Sequence, residues 1–263
     1  MARLESLRAT HIGRTVGADP EAFSGRALSR RSSRPQTDPR TKGARCGPVD
    51  SQHGRAVAHA SAVLPQHKTV HRRFQQWCQN EVIRAALTDL ANALREQGAV
   101  DESECCIDAT FASAKGGGEQ IGPTQRGKGV KIMAIVDRHG LPLAVTTHAA
   151  NHHEVTLVQL TFDFYMIEAK PENLIGDRAY DSDPLDEQLR VQGTEMIAPH
   201  RSNRKRKTQD GRRLRRYERR WIVERFFAWI QWQRRLLVRW EYHPANFLGF
   251  VQLAALCILL RQF

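Results

Sequence analysis

The sequence is short of acid. Its 28 Asp and Glu stand against 40 Lys and Arg, a net charge of +12, which argues against a cationic partner and for a polyanion, whose counterions a basic surface releases. Metal-binding thiol pairs are missing too. The five cysteines (Cys46, Cys78, Cys105, Cys106, Cys257) form no CxxC, which argues against a structural zinc ribbon or a redox pair. The neighbours Cys105 and Cys106 point to opposite faces of a strand, and most of the five read as small buried hydrophobes.

Long apolar runs are also scarce. The longest, FLGFVQLAALCILL from Phe247 to Leu260, contains Gln252 and falls short of the roughly 20 residues a membrane span needs. It reads as a buried C-terminal helix after Pro244, with Asn246 as N-cap. The opening MARLESLRATHIGRTVG has no apolar core of the kind a signal peptide carries, so a cytoplasmic protein without a membrane partner is expected. Residues 1–62 hold one aromatic, Phe23, and no sustained periodicity, and they read as a disordered tail. No internal repeat is present.

From Leu64 the character changes. Val70, Phe74, Trp77, Val82, Leu87, Leu90 and Leu94 recur at helical intervals up to Gly98, predicting two helices with a basic face in a 63–99 element. A strand-rich block follows. ECCIDATF is a short extended run, and KGGGEQIGPTQRGKG a flexible Gly-rich loop without the phosphate-loop pattern. VKIMAIVD and LPLAVTTHA flank a DRHG hairpin turn in which Gly140 supplies the positive φ. NHHEVTLVQLTFDFYMIEA then predicts a helix running toward Ala169, with Asn151 and Glu154 as a capping box. NLIGD is a short strand, DPLDEQLRVQG a helix capped by Ser182 or Asp183, EMIAP a further strand, and YERRWIVERFFAWI a helix.

On a helical wheel, Ile222, Val223, Phe226, Phe227, Trp229 and Ile230 fill one arc, and Tyr217, Arg220, Glu224 and Gln231 form a stripe at its border. Glu224 there is either half of an ion pair with Arg220 or a functional acid. Asp108, within the apolar CCIDAT, is either a strand-end cap or an acid that holds a cation. Asp177 follows Gly176 at the end of a strand, where ligands of α/β sheets commonly bind, unless it serves only the turn. Asp137 is explained by the hairpin turn. Three such acids brought together repel one another unless a cation neutralises them, and oxygen-only ligation selects Mg²⁺ or Mn²⁺. His148, His152 and His153 diverge at a helix start and are not expected to bind zinc.

The pieces IDATFASAKGG, RGKGVKIMAIVDRHGLPL, ANHHE, LIGDRAYDSD, IAPHRSNRK and RRYERRWIVERFFAWI together resemble the DDE transposases of bacterial insertion sequences, specifically the insertion-sequence-five group. The resemblance implies an α/β, ribonuclease H-like mixed sheet flanked by helices over residues 100–263. It implies a triad of Asp108, Asp177 and Glu224 holding two Mg²⁺ or Mn²⁺ ions, and cleavage and joining of double-stranded DNA at transposon ends. The family signature of Tyr, Arg, Glu and then Lys or Arg maps onto Tyr217, Arg220 and Glu224, with Gln231 where a cation is usual. Candidate DNA contacts are therefore Tyr217, Arg220 and Gln231, together with Lys128, Lys131, Arg201, Asn203, Arg204 and Lys205, extending to Arg206, Lys207 and Arg212. A two-ended reaction suggests a homodimer. The unusual first 62 residues make 63–99 read as the remnant of a DNA-binding region in a degraded or frame-disrupted copy, the alternative function being an inactive DNA-binding remnant.

Overall fold

The computed structural model describes residues 65–205 and 214–263. The tail 1–62, together with Arg206, Lys207 and Arg212, lies outside the described residues. Two helices, α1 (His67–Gln79) and α2 (Val82–Glu96), come first. Glu81 turns the chain between them in a left-handed conformation (φ 54°). Gly98, at φ 72°, closes α2 with its amide on the Arg95 carbonyl, as the sequence predicts.

The sheet is built around β1 (Glu104–Ala114), longer than the short run expected. The Gly-rich segment is not all loop. It contains β2 (Gly122–Thr124), which pairs antiparallel with the start of β3 (Gly127–Val136), because Gly127 can take the φ of 100° that the tight turn requires. β3 pairs antiparallel with β1 on one edge and with β4 (Pro142–Ala149) on the other. The β3–β4 turn is fixed by buried Asp137, whose carboxylate accepts from the amides of Asp101, His139 and Leu141, with Gly140 at φ 89°.

Helix α3 (Glu154–Phe162) is shorter than predicted. The chain leaves it because Tyr165, Met166 and Ile167 turn into the core and the Met166 amide donates to the Leu143 carbonyl of β4. The expected capping box does not form: His153 is the N-cap, with no side-chain cap bond, and Glu154 is the first helical residue. β5 (Asn173–Ile175), α4 (Asp183–Val191) and β6 (Glu195–Ile197) follow, with Ser182 at the N-cap of α4 but making no side-chain cap bond.

A 3₁₀ turn, Arg215–Arg220, leads into α5 (Trp221–Gln231). Then come α6 (Arg234–Leu237), a two-residue strand β7 (Val238–Arg239) and α7 (Pro244–Leu259). His243, not Asn246, is the N-cap of α7, and Asn246 is buried one turn in. With its short extension, Pro244–Gln262 meets the length and apolarity of a membrane span, but half of its most apolar window is buried. It packs on α1, α2 and β4. At Gly249 a Cβ would come within 2.3 Å of Cys78 Sγ, so only glycine permits this approach of α7 to α1.

β5 and β7 both pair parallel with β1, opposite Glu104–Cys106 and Ser113–Ala114 respectively. Without the small β2 and β7, the strand order is β4-β3-β1-β5-β6: three antiparallel strands followed by two parallel ones. This mixed sheet flanked by helices is the ribonuclease H-like arrangement. On the β5 side, among the described residues, the stretch of β1 between its partners β5 and β7 has no strand beside it, and Asp108 lies in that gap.

Candidate metal and DNA site

Parallel pairing places the acids. Cys106 of β1 is level with Ile175 of β5, so two residues on Asp108, still within β1, lies beside Asp177, just past the end of β5. Asp177 then starts a 3₁₀ turn, and its carboxylate accepts from the Ala179 amide at 2.7 Å. A Cβ on Gly176 would come within 2.8 Å of the Tyr180 ring and 2.5 Å of a Met196 methyl. The close approach that this glycine permits is thus made by Tyr180 and Met196.

The segment 216–231 runs along the face of β1 that carries Asp108. Glu104 pairs with Arg216 and Arg219, Cys106 Sγ lies 4.0 Å from the Arg219 carbonyl, Asp108 meets Arg220 at 2.7 Å, and Thr110 Oγ1 meets Gln231 at 3.2 Å. Of the stripe the helical wheel marks, Arg220 and Gln231 make these contacts, while Arg216 and Arg219 reach β1 from the 3₁₀ turn that precedes α5. The wheel errs at Trp229, which is exposed and sandwiches Arg225 with Trp221 at 4.9 and 4.8 Å. Glu224 is more exposed than expected, its side chain 54% accessible.

Arg220 joins two of the predicted acids. One guanidinium nitrogen binds Asp108 and the other binds Glu224 at 2.5 Å, so the Arg220–Glu224 ion pair is present and Glu224 is linked to Asp108 through the arginine. Burial alone would lower the Arg220 pKa, but Asp108 and Glu224 hold it above its ordinary value.

A further acid joins them. One carboxylate oxygen from each of Asp108, Glu154 and Asp177 lies within 4.8 Å of the others. Glu154 reaches this cluster from the first turn of α3, held by Lys131 of β3 at 3.1 Å, while Lys131 also donates to the His152 carbonyl. Among the described residues, Asp108, Asp177, Glu154 and Glu224 meet two cations, Arg220 and Lys131. The imbalance registers on Asp108. Burial first, and then the charges of Asp177 and Glu154, push its pKa up to about 6 despite the Ala109 amide and Arg220. Sequence reasoning treats Glu154 as a cap. The signal that could have found it is an acid at a helix start inside the quoted ANHHE.

The candidate DNA contacts divide into free and engaged groups. Lys128, Asn203 and Lys205 are exposed, and so is Arg201 in part of its side chain. Arg201 also donates to the Arg178 and Ala179 carbonyls, and Arg204 pairs with Asp181 and Asp183. Tyr217 is half-buried with the Arg220 guanidinium 5.9 Å from its ring centre. Of the histidines, His148 Nε2 meets Thr146 Oγ1 at 2.9 Å. Cys105 and Cys106 are buried, Cys78 is half-buried and Cys257 is exposed.

The donor set is all oxygen, clustered where β1 runs past the end of β5, which suits a hard divalent cation. The family profile described as the Transposase DDE domain matches residues 100–260, and the chain belongs to that family. A protein of Burkholderia cepacia, assigned as a transposase for insertion sequence element IS402, is 35% identical over 128 residues, 45% of this chain. The chain spans little more than half, 57%, of that relative. Among solved structures, the chain is similar to a piggyBac transposase synaptic complex with hairpin DNA (TM-score 0.41, 10% identity, 61% of this chain and 48% of that one). It is also similar to the catalytic core domain of BIV integrase (TM-score 0.29, 13% identity, 61% of this chain and 95% of that one).

Proposed function

We propose that the chain is an insertion-sequence transposase of the insertion-sequence-five group, acting in the cytoplasm on double-stranded DNA. In this reading it cuts at the element's ends and joins the freed 3′-hydroxyl to a target. The observation that supports the reading is the clustering of Asp108 of β1, Asp177 just past the end of β5 and Glu154 of α3, with Glu224 of α5 tied to Asp108 through Arg220. Asp108, Asp177 and Glu224 are the metal-binding triad, taking two ions of Mg²⁺ or Mn²⁺. When bound, such ions activate an attacking oxygen and stabilise a leaving one in phosphodiester displacement.

The chain's own residues prepare the site. Asp108 and Asp177 are fixed by strand pairing and by the Ala109 and Ala179 amides, so both carboxylates are oriented before any ligand arrives. Arg220 neutralises Asp108 and Glu224 in the metal-free protein. With cations bound beside those acids, the Arg220 guanidinium would be available to a DNA phosphate. Lys128, Asn203 and Lys205 offer further contacts to the DNA backbone, and Arg201, Arg204, Tyr217 and Gln231 are additional candidates. Residues 63–99 derive from a DNA-binding region and pack onto the catalytic domain of 100–263 through α7, and two copies act together at the two ends.

Incubating the purified chain with DNA carrying its element's ends and Mg²⁺ tests this. Metal-dependent strand cleavage that disappears in the combined variant Asp108→Asn, Asp177→Asn, Glu224→Gln is expected. Equal cleavage by that variant rejects the site. Salt-sensitive DNA binding without any cleavage by the wild type instead assigns the chain as an inactive remnant.

A further inference from the structure

We propose that Glu154 is an additional carboxylate ligand of the divalent-cation site beside Asp108 and Asp177, and that Lys131 occupies it in the metal-free protein. The inference rests on the metal-dependent reading above. It extends that reading to a residue outside the Asp, Asp, Glu triad.

Three observations carry it. Glu154 brings a carboxylate oxygen within 4.8 Å of those of Asp108 and Asp177, while its own helix would place it equally well as an ordinary first-turn acid turned to solvent. Its side chain is only 22% exposed, and its described charge partner is a lysine that is itself 15% exposed. An ammonium is a compact point charge on a flexible stem, easily displaced by a competing cation. Finally, the Tyr180 hydroxyl is fully buried and closes no hydrogen bond of regular geometry. The carboxylates that bear on it are Glu154 foremost, then Asp108 and Asp177. A buried phenol that meets its carboxylate neighbour Glu154 outside regular hydrogen-bond geometry gains only part of that bond. Placed among three acids, it is suited to orient Glu154 once that side chain turns from Lys131 to the metal, as outer donors do at ligating carboxylates.

The alternative is that Glu154 serves only to anchor α3 to β3 through Lys131. Mn²⁺ binding to the full chain, followed by electron paramagnetic resonance of the free ion, separates the two without any reliance on catalysis. The expected result is that Glu154→Gln weakens Mn²⁺ binding about tenfold or more and Lys131→Met strengthens it several-fold, while circular dichroism reports an unchanged fold. If Glu154→Gln lowers the metal-free melting temperature but leaves Mn²⁺ affinity at the wild-type value, Glu154 is only an anchor and the inference is overturned. In that outcome Asp108→Asn still abolishes binding and the triad reading stands. If the wild type binds no Mn²⁺, both readings fall together.

Discussion

Asp108 and Asp181 are both largely buried acids tied to an arginine, yet their surroundings push them in opposite directions. Burial alone would raise Asp181, but the Arg201 amide, His200 and Arg204 hold its pKa below the ordinary carboxylate value. Asp108 has Arg220 and one amide, shares the arginine with Glu224, and faces Asp177 and Glu154, so it rises to about 6. The difference is one of completion. Asp181 is a finished structural clamp, joining the turn after Asp177 to residues 200–204. Asp108, among the described residues, sits in a site that is still short of positive charge.

The largest effect that would break this comparison is on cleavage. Asp108→Asn is expected to reduce strand cleavage by about a thousandfold or more, whereas Asp181→Asn keeps measurable cleavage. Equal losses in a nicking assay would make the two acids equivalent. A second test is pH. Because the folded pKa of Asp108 is raised, its stabilising contribution is full below about pH 4 and is lost as pH rises through about 6, a change on the order of 3 kcal/mol in the metal-free chain. Divalent-cation affinity is therefore expected to climb through about pH 6, which Mn²⁺ titrations at several pH values measure. Asp186, also raised to about 6 by burial and by Asp183 and Asp181, titrates in the same range. The melting-temperature difference between wild type and Asp108→Asn isolates the Asp108 contribution.

Asp181 has the reverse sign. Its contribution is present above the ordinary carboxylate range and is lost only as pH falls through its lowered pKa. Asp181→Asn at neutral pH should accordingly cost about 1–3 kcal/mol, seen as a lower denaturation midpoint, while Asp108→Asn leaves the metal-free midpoint equal or higher. The smallest expected effect is at Gln231. Gln231→Lys replaces its bond to Thr110 with the cation usual in the family signature and should tighten DNA binding only a few-fold, with a steeper salt dependence.

Much of this was legible before folding, for reasons that differ by residue. Asp108 and Asp177 stand out because an acid in or beside an apolar strand needs a partner, and strand periodicity fixes which face it takes. The hairpin at Asp137 and Gly140 and the closure at Gly98 follow from local turn chemistry. Glu154 was misread because an acid three residues after Asn151 fits a cap equally well by spacing. Lys131 and Asp108, which it meets in the fold, are 23 and 46 residues away in the chain. Trp229 lies at the margin of its apolar arc, and Arg225 gives its ring a partner at the surface. The two-residue β7 has no periodicity to read. It exists because β1 leaves an edge open for it.

The meeting of Gly249 with Cys78 bears on where this protein can be divided. The family profile begins at residue 100, yet α7 lays Phe247, Val251 and Ala255 into a core shared with Leu87, Ala91 and Leu94 of α2. A fragment trimmed to the profile's first residue would uncover a greasy wall and invite aggregation. The serviceable place to cut is ahead of His67, so that whoever prepares the catalytic portion must keep its helical preface attached.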